Sequence, residues 1–307
     1  MAKLNGAQII IRYLEKQGVR LISGIPGGAN LPLYDALATE SRIRHVLARH
    51  EQGAGFIAQG MARSTGTTGV CFATSGPGAT NVLTAIADAY LDSVPLVCIT
   101  GQVPGTLLGT DAFQEVDTYG MSVPITKHNY LVRSAKELLT ILPRAFYLAR
   151  SGRPGPVLID VPKNVQTEVI EFDGWPDETD AERALETGGA SIAEAAAMIN
   201  RAKRPMLYLG GGVIHAGAAA EARNLAEQGN IPVVMTLMGL GIMPADHPLS
   251  LGMLGMHASR ATNLAMAECD LLIAAGVRFD DRATGLLSGF CPEAKVIHVD
   301  IDASEIG

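Results

Sequence analysis

The sequence predicts an α/β protein with two consecutive open, mostly parallel sheets flanked by helices, the second of them truncated. Three observations carry this expectation. Short β-branched runs, apolar on both faces, alternate with stretches of helical period. Many of these runs close on Gly/Pro clusters such as Pro26-Gly27-Gly28 and Ser75-Gly76-Pro77-Gly78. The same alternation restarts after an acidic break.

Taken in order, residues 5–17 carry apolar positions at helical spacing and read as the first helix. Strand 21–25 ends in the Pro26-Gly27-Gly28 turn, and helix 31–38 follows. Strand 45–48 leads into helix 51–63. Strand 69–74 (GVCFAT) ends in Ser75-Gly76-Pro77-Gly78, ahead of helix 81–91 and strand 96–100. Helix 135–150 and strand 157–161 complete a first domain over 1–165. Residues 166–190 are acidic, hold the sole Trp and show no clean period, so they read as a linker. The second domain, 191–307, opens on Ser191 and Glu194, spaced as a capping box. Strand 206–209 ends in three glycines; helix 218–228, strand 232–236, helix 258–267 and strands 271–274 and 296–299 follow. The chain stops just after a strand end, where open α/β sheets usually place ligands, so the second domain is expected to be incomplete.

The composition is that of a globular chain: 48% hydrophobic, 18% charged, with a formal charge of −7. No Lys/Arg block is present, which argues against a nucleic-acid role. No apolar stretch is long enough for a bilayer, and Arg12, Glu15 and Lys16 interrupt any signal-like run. Four cysteines without a C-x-x-C pair fit buried thiols and a reducing, cytoplasmic location. The seven histidines make no ligand pair, so no protein-only metal site is expected.

The phosphate-loop pattern and the G-x-S-x-G elbow are both missing. Gly53-x-Gly55-x-x-Ala58 matches a dinucleotide fingerprint loosely, without the acid that should follow; its plainer reading is close helix packing. Gly210-Gly211-Gly212 fits either close approach to a cofactor or a tight turn. Glu51 stands at a strand-to-helix junction on the ligand side of the first sheet. It can be a favourable dipole partner or a catalytic carboxylate.

Eight long motifs share one resemblance. They are Gly24–Gly28 (GIPGG), Arg49–Ala54 (RHEQGA), Thr74–Asn81 (TSGPGATN), Thr100–Pro104 (TGQVP), Gly109–Glu115 (GTDAFQE), Ser151–Val157 (SGRPGPV), Leu251–His257 (LGMLGMH) and Arg278–Arg282 (RFDDR). Over essentially all 307 residues and in the same order, the chain resembles the large catalytic subunits of acetolactate synthase. The resemblance implies a three-domain enzyme that uses thiamine diphosphate, FAD and Mg²⁺ to join two 2-keto acids. This sequence carries the pyrimidine-binding domain and most of the FAD-binding one. The third, which holds the diphosphate through Mg²⁺ on a Gly-Asp-Gly…Asn motif, is not in it, so the fragment is expected to be inactive alone.

By the same resemblance Glu51 contacts the aminopyrimidine, and Gln114 and Phe113 lie near the reacting carbon, contributed across a subunit interface. Lys127 matches a segment lining the substrate channel, with a plain solvated lysine as the alternative. Gly27, Gly28, Ser75, Gly76, Pro77 and Asn81 belong to the thiamine set. Arg153, Gly211, Gly212, Met256, His257, Gly276, Arg278, Asp280, Arg282 and Asp300 belong to the FAD set, with helix capping as the alternative for Asp300. The implied partners are a second copy of the chain, or a higher oligomer, and a small regulatory subunit. Pyruvate oxidase and a non-catalytic, flavin-binding assembly module are the competing readings; glyoxylate carboligase is disfavoured because Glu51 is present.

Overall fold

The computed structural model describes residues 2–176 and 189–306. The chain divides into two compact units between residues 182 and 183.

In the first unit the elements run β1 (Ala2–Asn5), α1 (Gly6–Lys16), β2 (Leu21–Gly24), α2 (Leu31–Glu40), β3 (Arg44–Leu47), α3 (Glu51–Thr65), β4 (Gly69–Ala73) and α4 (Pro77–Leu91). Then come β5 (Leu96–Gln102), α5 (Thr118–Ser122), β6 (His128–Leu131), α6 (Leu138–Arg150), β7 (Pro156–Pro162), α7 (Lys163–Thr167) and β8 (Val169–Phe172). Six strands form a parallel sheet in the order β3-β2-β4-β5-β7-β6. The central strands β4, β5 and β7 are buried along their whole length, which is why they read as unbroken apolar runs. One face packs on Ile9, Ile10, Tyr13, Leu142 and Phe146; the other packs on Ala58, Val82, Ile86 and Ala89. Helix α1 is started by Asn5, whose side chain accepts from the Gln8 N–H at 2.8 Å while Gln8 Oε1 accepts from the Asn5 N–H at 2.8 Å. That reciprocal pair satisfies two otherwise orphaned donors.

Two features were not foreseen. β1 and β8 form a separate antiparallel pair, with Ala2 opposite Phe172 and Asn5 opposite Val169. Trp175 then stacks edge-on against Tyr13 with ring centroids 4.6 Å apart. The stretch read as the start of a linker therefore belongs to the first unit up to Trp175, held by strand pairing and an aromatic cluster. Residues 177–188 of that linker lie outside the described residues.

The second unit runs α8 (Gly189–Arg201), β9 (Pro205–Leu209), α9 (Gly211–His215), α10 (Ala219–Gly229), β10 (Val233–Met235), β11 (Ser250–Met253), α11 (Arg260–Glu268), β12 (Leu271–Ala275), α12 (Asp281–Thr284) and β13 (Lys295–Val299). Its five strands are parallel in the order β11-β10-β9-β12-β13. Ser191 is not a helix cap: α8 is already under way at Gly189, so Ser191 and Glu194 both lie within the helix. All four cysteines are free and buried. No helix among the described residues is long and apolar enough to cross a membrane.

Candidate functional site

In an open parallel sheet, ligands sit at the strand carboxyl ends, where the strand order changes direction. In the first unit that point lies between β2 and β4. The β2 end continues into a loop built by buried Asn30. Asn30 Oδ1 accepts from the Gly27 N–H at 2.8 Å, and Asn30 Nδ2 donates to the Ile25 carbonyl at 3.4 Å. A Cβ on Gly27 would stand 2.7 Å from Thr74 at the end of β4, so only glycine lets the two strand ends close together. Gly28, by contrast, faces open space.

Glu51 enters from β3, as the first residue of α3. His50 caps that helix, its Nδ1 accepting from the Gln52 N–H at 3.1 Å. The Glu51 side chain is 9% exposed. Its Oε2 accepts from Asn81 Nδ2 at 2.9 Å, across from α4. Oε1 stands 3.4 Å from the place a Cβ on Gly78 would occupy, and Asn81 is the only side chain among the described residues that donates to this carboxylate. One oxygen is thus fixed, and the other takes no side-chain hydrogen bond among the described residues. Tyr34 lies beneath, its hydroxyl buried without a partner, and burial pushes its pKa well up so that it stays a neutral phenol.

Gly76 brings in the next group. Its φ is +58° with ψ −119°, a backbone state essentially reserved for glycine. A Cβ there would meet the Gln114 backbone at 2.6–2.8 Å. Gln114, itself at φ +58°, is thereby seated against the Ser75-Gly76-Pro77 turn that starts α4. Its neighbour Phe113 is 88% exposed. The structure therefore gathers Gly27, Gly28, Glu51, Ser75, Gly76, Pro77, Asn81 and Gln114 along the carboxyl ends of β2, β3 and β4, with Phe113 beside them.

Lys127 is not among them, and its sequence reading is corrected. It precedes β6, so it lies at the amino ends of the strands, where its N–H bonds the Pro156 carbonyl at 2.9 Å. Its Nζ donates to the carbonyls of Leu148 (2.5 Å) and Ser151 (2.6 Å) and closes the end of α6. Burial lowers its pKa. It is neither a channel group nor a free surface lysine but a helix cap. Arg153 sits on the same amino edge, with Nε bonded to Ser93 Oγ at 2.8 Å. The loose Gly53–Ala58 fingerprint resolves to packing: a Cβ on Gly55 would collide with that of Ala85.

In the second unit the strand order reverses between β9 and β12. Gly210–Gly212 and Gly276 meet there: the Gly212 N–H bonds the Gly276 carbonyl at 3.1 Å, and a Cβ on Gly276 would stand 2.6 Å from Gly212 Cα. Met256, His257, Arg278 and Arg282 are exposed around the same carboxyl edge, with Arg282 Nη1 3.5 Å from Met256 Sδ. Asp280 caps α12 through the N–H groups of Arg282 (3.0 Å) and Ala283 (3.2 Å). Asp300 follows β13 and accepts from the Asp302 N–H at 2.9 Å; it is Asp302 that caps the next turn. Among the described residues no group of three or more His, Cys, Asp or Glu could hold a metal ion.

Sequence reasoning missed Asn30, Thr74, Gly78 and one buried acid. Asp160, inside β7, is 1% exposed and lies close to Asp117 and Cys98. Burial pushes its pKa up to about 7, against the pull of bonds from Thr100 and Gln102. The visible signal was a lone acid in the apolar run VLIDV. The folded protein keeps this proton up to about pH 7, whereas an unfolded chain releases it near 3.8. The stability it contributes is therefore present at low pH and lost as pH rises from about 4 to 7, by an amount on the order of 4 kcal/mol. Urea unfolding at pH 5 and pH 8 should show this slope in the native chain, and the Asp160→Asn variant should lack it.

Two family models match the chain. One, described as the thiamine pyrophosphate enzyme N-terminal TPP-binding domain, covers residues 4–121; the other, the central domain of the same enzymes, covers 192–307. The chain is 61% identical over 305 residues to the acetolactate synthase isozyme 1 large subunit of Escherichia coli K12, covering 99% of this chain and 54% of that protein. It is 53% identical over 308 residues to the acetolactate synthase large subunit of Corynebacterium glutamicum (99% and 49%). It is 51% identical over 309 residues to a probable acetolactate synthase large subunit of Methanocaldococcus jannaschii (99% and 52%). The chain spans about half the length of the curated relatives it matches.

Proposed function

Because the chain belongs to the thiamine pyrophosphate enzymes and carries their N-terminal and central domains, we propose that it forms the pyrimidine-binding and central parts of an acetolactate synthase large subunit. The observation that carries this reading is Glu51, a nearly buried carboxylate with one oxygen pinned by Asn81 and the other without a side-chain donor among the described residues. Such a group can hold a pyrimidine ring nitrogen and share a proton with it, because burial strengthens that bond. Thiamine diphosphate, when bound, supplies the electron sink for removing CO₂ from one 2-keto acid and joining the remaining two carbons to another. The glycines of 24–28 leave room for the ring. Ser75, Gly76, Pro77 and Asn81 shape the wall facing Glu51. Gln114 and Phe113 meet the second 2-keto acid. The products are acetolactate or acetohydroxybutyrate, on the way to branched-chain amino acids.

FAD is assigned to the carboxyl edge of the second unit. The Gly210–Gly212 and Gly276 crest offers backbone without side chains, and Arg278, Arg282, Met256 and His257 stand exposed around it. Asp300 and Asp280 are the acids this edge offers to sugar hydroxyls. Mg²⁺ and the diphosphate are assigned to residues outside this chain.

A second copy is the expected partner. Phe56, Ile57 and Met61 on α3 and Tyr90 and Leu91 on α4, which packs beside it, are exposed apolar side chains. The relatives' description as large subunits supports a small regulatory one as well. Four buried free thiols fit a cytoplasmic setting.

The test is a chimera in which this chain replaces the matching half of the Escherichia coli isozyme 1 large subunit. With pyruvate, FAD and Mg²⁺ it should form acetolactate only when thiamine diphosphate is added. A folded, assembled chimera that forms none, or that yields peroxide instead, would overturn the proposal.

A further inference from the structure

The loop from Val103 to Asp117, which carries Phe113 and Gln114, has few anchors. Its amides mostly bond within the loop, as from Glu115 to the Ala112 carbonyl. Toward the rest of the unit, the Gly105 N–H donates to Asn164 Oδ1 at 2.8 Å, and Gln114 leans on Gly76. A further anchor is Gln102, the last residue of β5. Its side chain is 1% exposed and fully engaged. Oε1 accepts from the Val103 N–H at 2.8 Å, which fixes the orientation of the amide. Nε2 then donates to the Val116 carbonyl at 3.1 Å and to Asp160 Oδ2 at 3.0 Å. Thr100 Oγ1 donates to Asp160 Oδ1 at 2.6 Å.

Asp160 is therefore a buried acid held only by neutral partners, with no cation bonded to it among the described residues. Burying such a polar group is costly, and an apolar residue in mid-strand would pack the sheet at lower cost. What the acid does here is to fix Gln102 in the one orientation that reaches Val116, two residues past Gln114.

We propose that Gln102 and Asp160 are a positioning pair that holds the 103–117 loop, and with it Gln114, at the cleft beside Glu51. This rests on the proposed thiamine-dependent reading for its catalytic consequence, but not for its structural one. Neither residue touches substrate. Their effect passes through the Val116 carbonyl.

Two measurements test it. In the chain itself, Gln102→Leu should accelerate amide hydrogen exchange in residues 105–117 by about tenfold, as expected for losing one buried hydrogen bond, while β4 and β7 amides keep their protection. Asp160→Ala should reproduce the effect, and Asp160→Asn, which still offers Gln102 an oxygen, should restore most of the protection. In the chimera, Gln102→Leu should lower kcat by about tenfold with little change in the thiamine diphosphate concentration needed for half activity. Unchanged exchange in 105–117, or acceleration spread evenly over the unit, would overturn the pairing. A wild-type chimera without thiamine-dependent activity would instead sink the functional reading, and the exchange data would still decide the pairing. Should Asp160→Ala not fold, the Gln102→Leu and Asp160→Asn comparison suffices.

Discussion

Replacing Glu51 with Gln in the chimera is expected to cut acetolactate formation by about 10²- to 10⁴-fold, the range for removing a general acid–base group. The substitution keeps the shape and the acceptor for Asn81 Nδ2, so the cleft should stay intact. What it removes is the capacity to take up and return a proton at the oxygen not bonded to Asn81. Unfolding of the variant should change little, since a neutral amide replaces a carboxylate that already makes a single side-chain bond. Activity assays paired with thermal melts separate the two effects. Activity within about threefold of wild type, a change too small for a lost proton-transfer group, would remove Glu51 from the reaction.

The second large effect concerns Gly276. Its φ is +60°, and an added Cβ would press on Gly212 Cα and on the Val213 nitrogen at 2.6–2.7 Å. Those atoms are backbone at the start of α9 and have nowhere to move. Gly276→Ala is expected to destabilise the second unit by roughly 2–4 kcal/mol, adding left-handed strain to overpacking. The crest between β9 and β12 should open, and with it flavin retention should fall. Calorimetry of the chain and the 450 nm absorbance of the purified chimera check the two parts. A variant that melts like wild type would refute the close glycine contact. One that melts early but still retains flavin would argue that FAD does not use this edge.

The α/β alternation was legible because β4, β5, β7, β9 and β12 are buried on both faces and so leave unbroken apolar runs. β6 was not, since His128 and Tyr130 leave part of it exposed and blur the run. β1 and β8 escaped notice for another reason. Each is four residues long and gains its strand character only from a partner at the far end of the unit. The Ser191–Glu194 pattern shows that spacing alone does not place a cap, whereas Asn5 and Gln8 made the real one without matching the Ser/Glu form. At the site, Glu51 could be found because an acid after a strand and before a helix is a local signal. The link from Asp160 to Val116 could not, because its members lie 14 to 58 residues from Gln102 and meet only in the folded sheet. Lys127 misled because its neighbours in sequence said nothing about which edge of the sheet it occupies.

The small ladder between Ala2–Asn5 and Val169–Phe172 has a topological consequence. Strands in such a ladder lie about 5 Å apart, so the chain leaves this body almost where it came in. A bridge of a few residues would join the ends into a ring, and fresh ends could be opened at an exposed bend such as Gly109. The first unit is thus wired as a closed circuit, its first and last described strands meeting in one ladder.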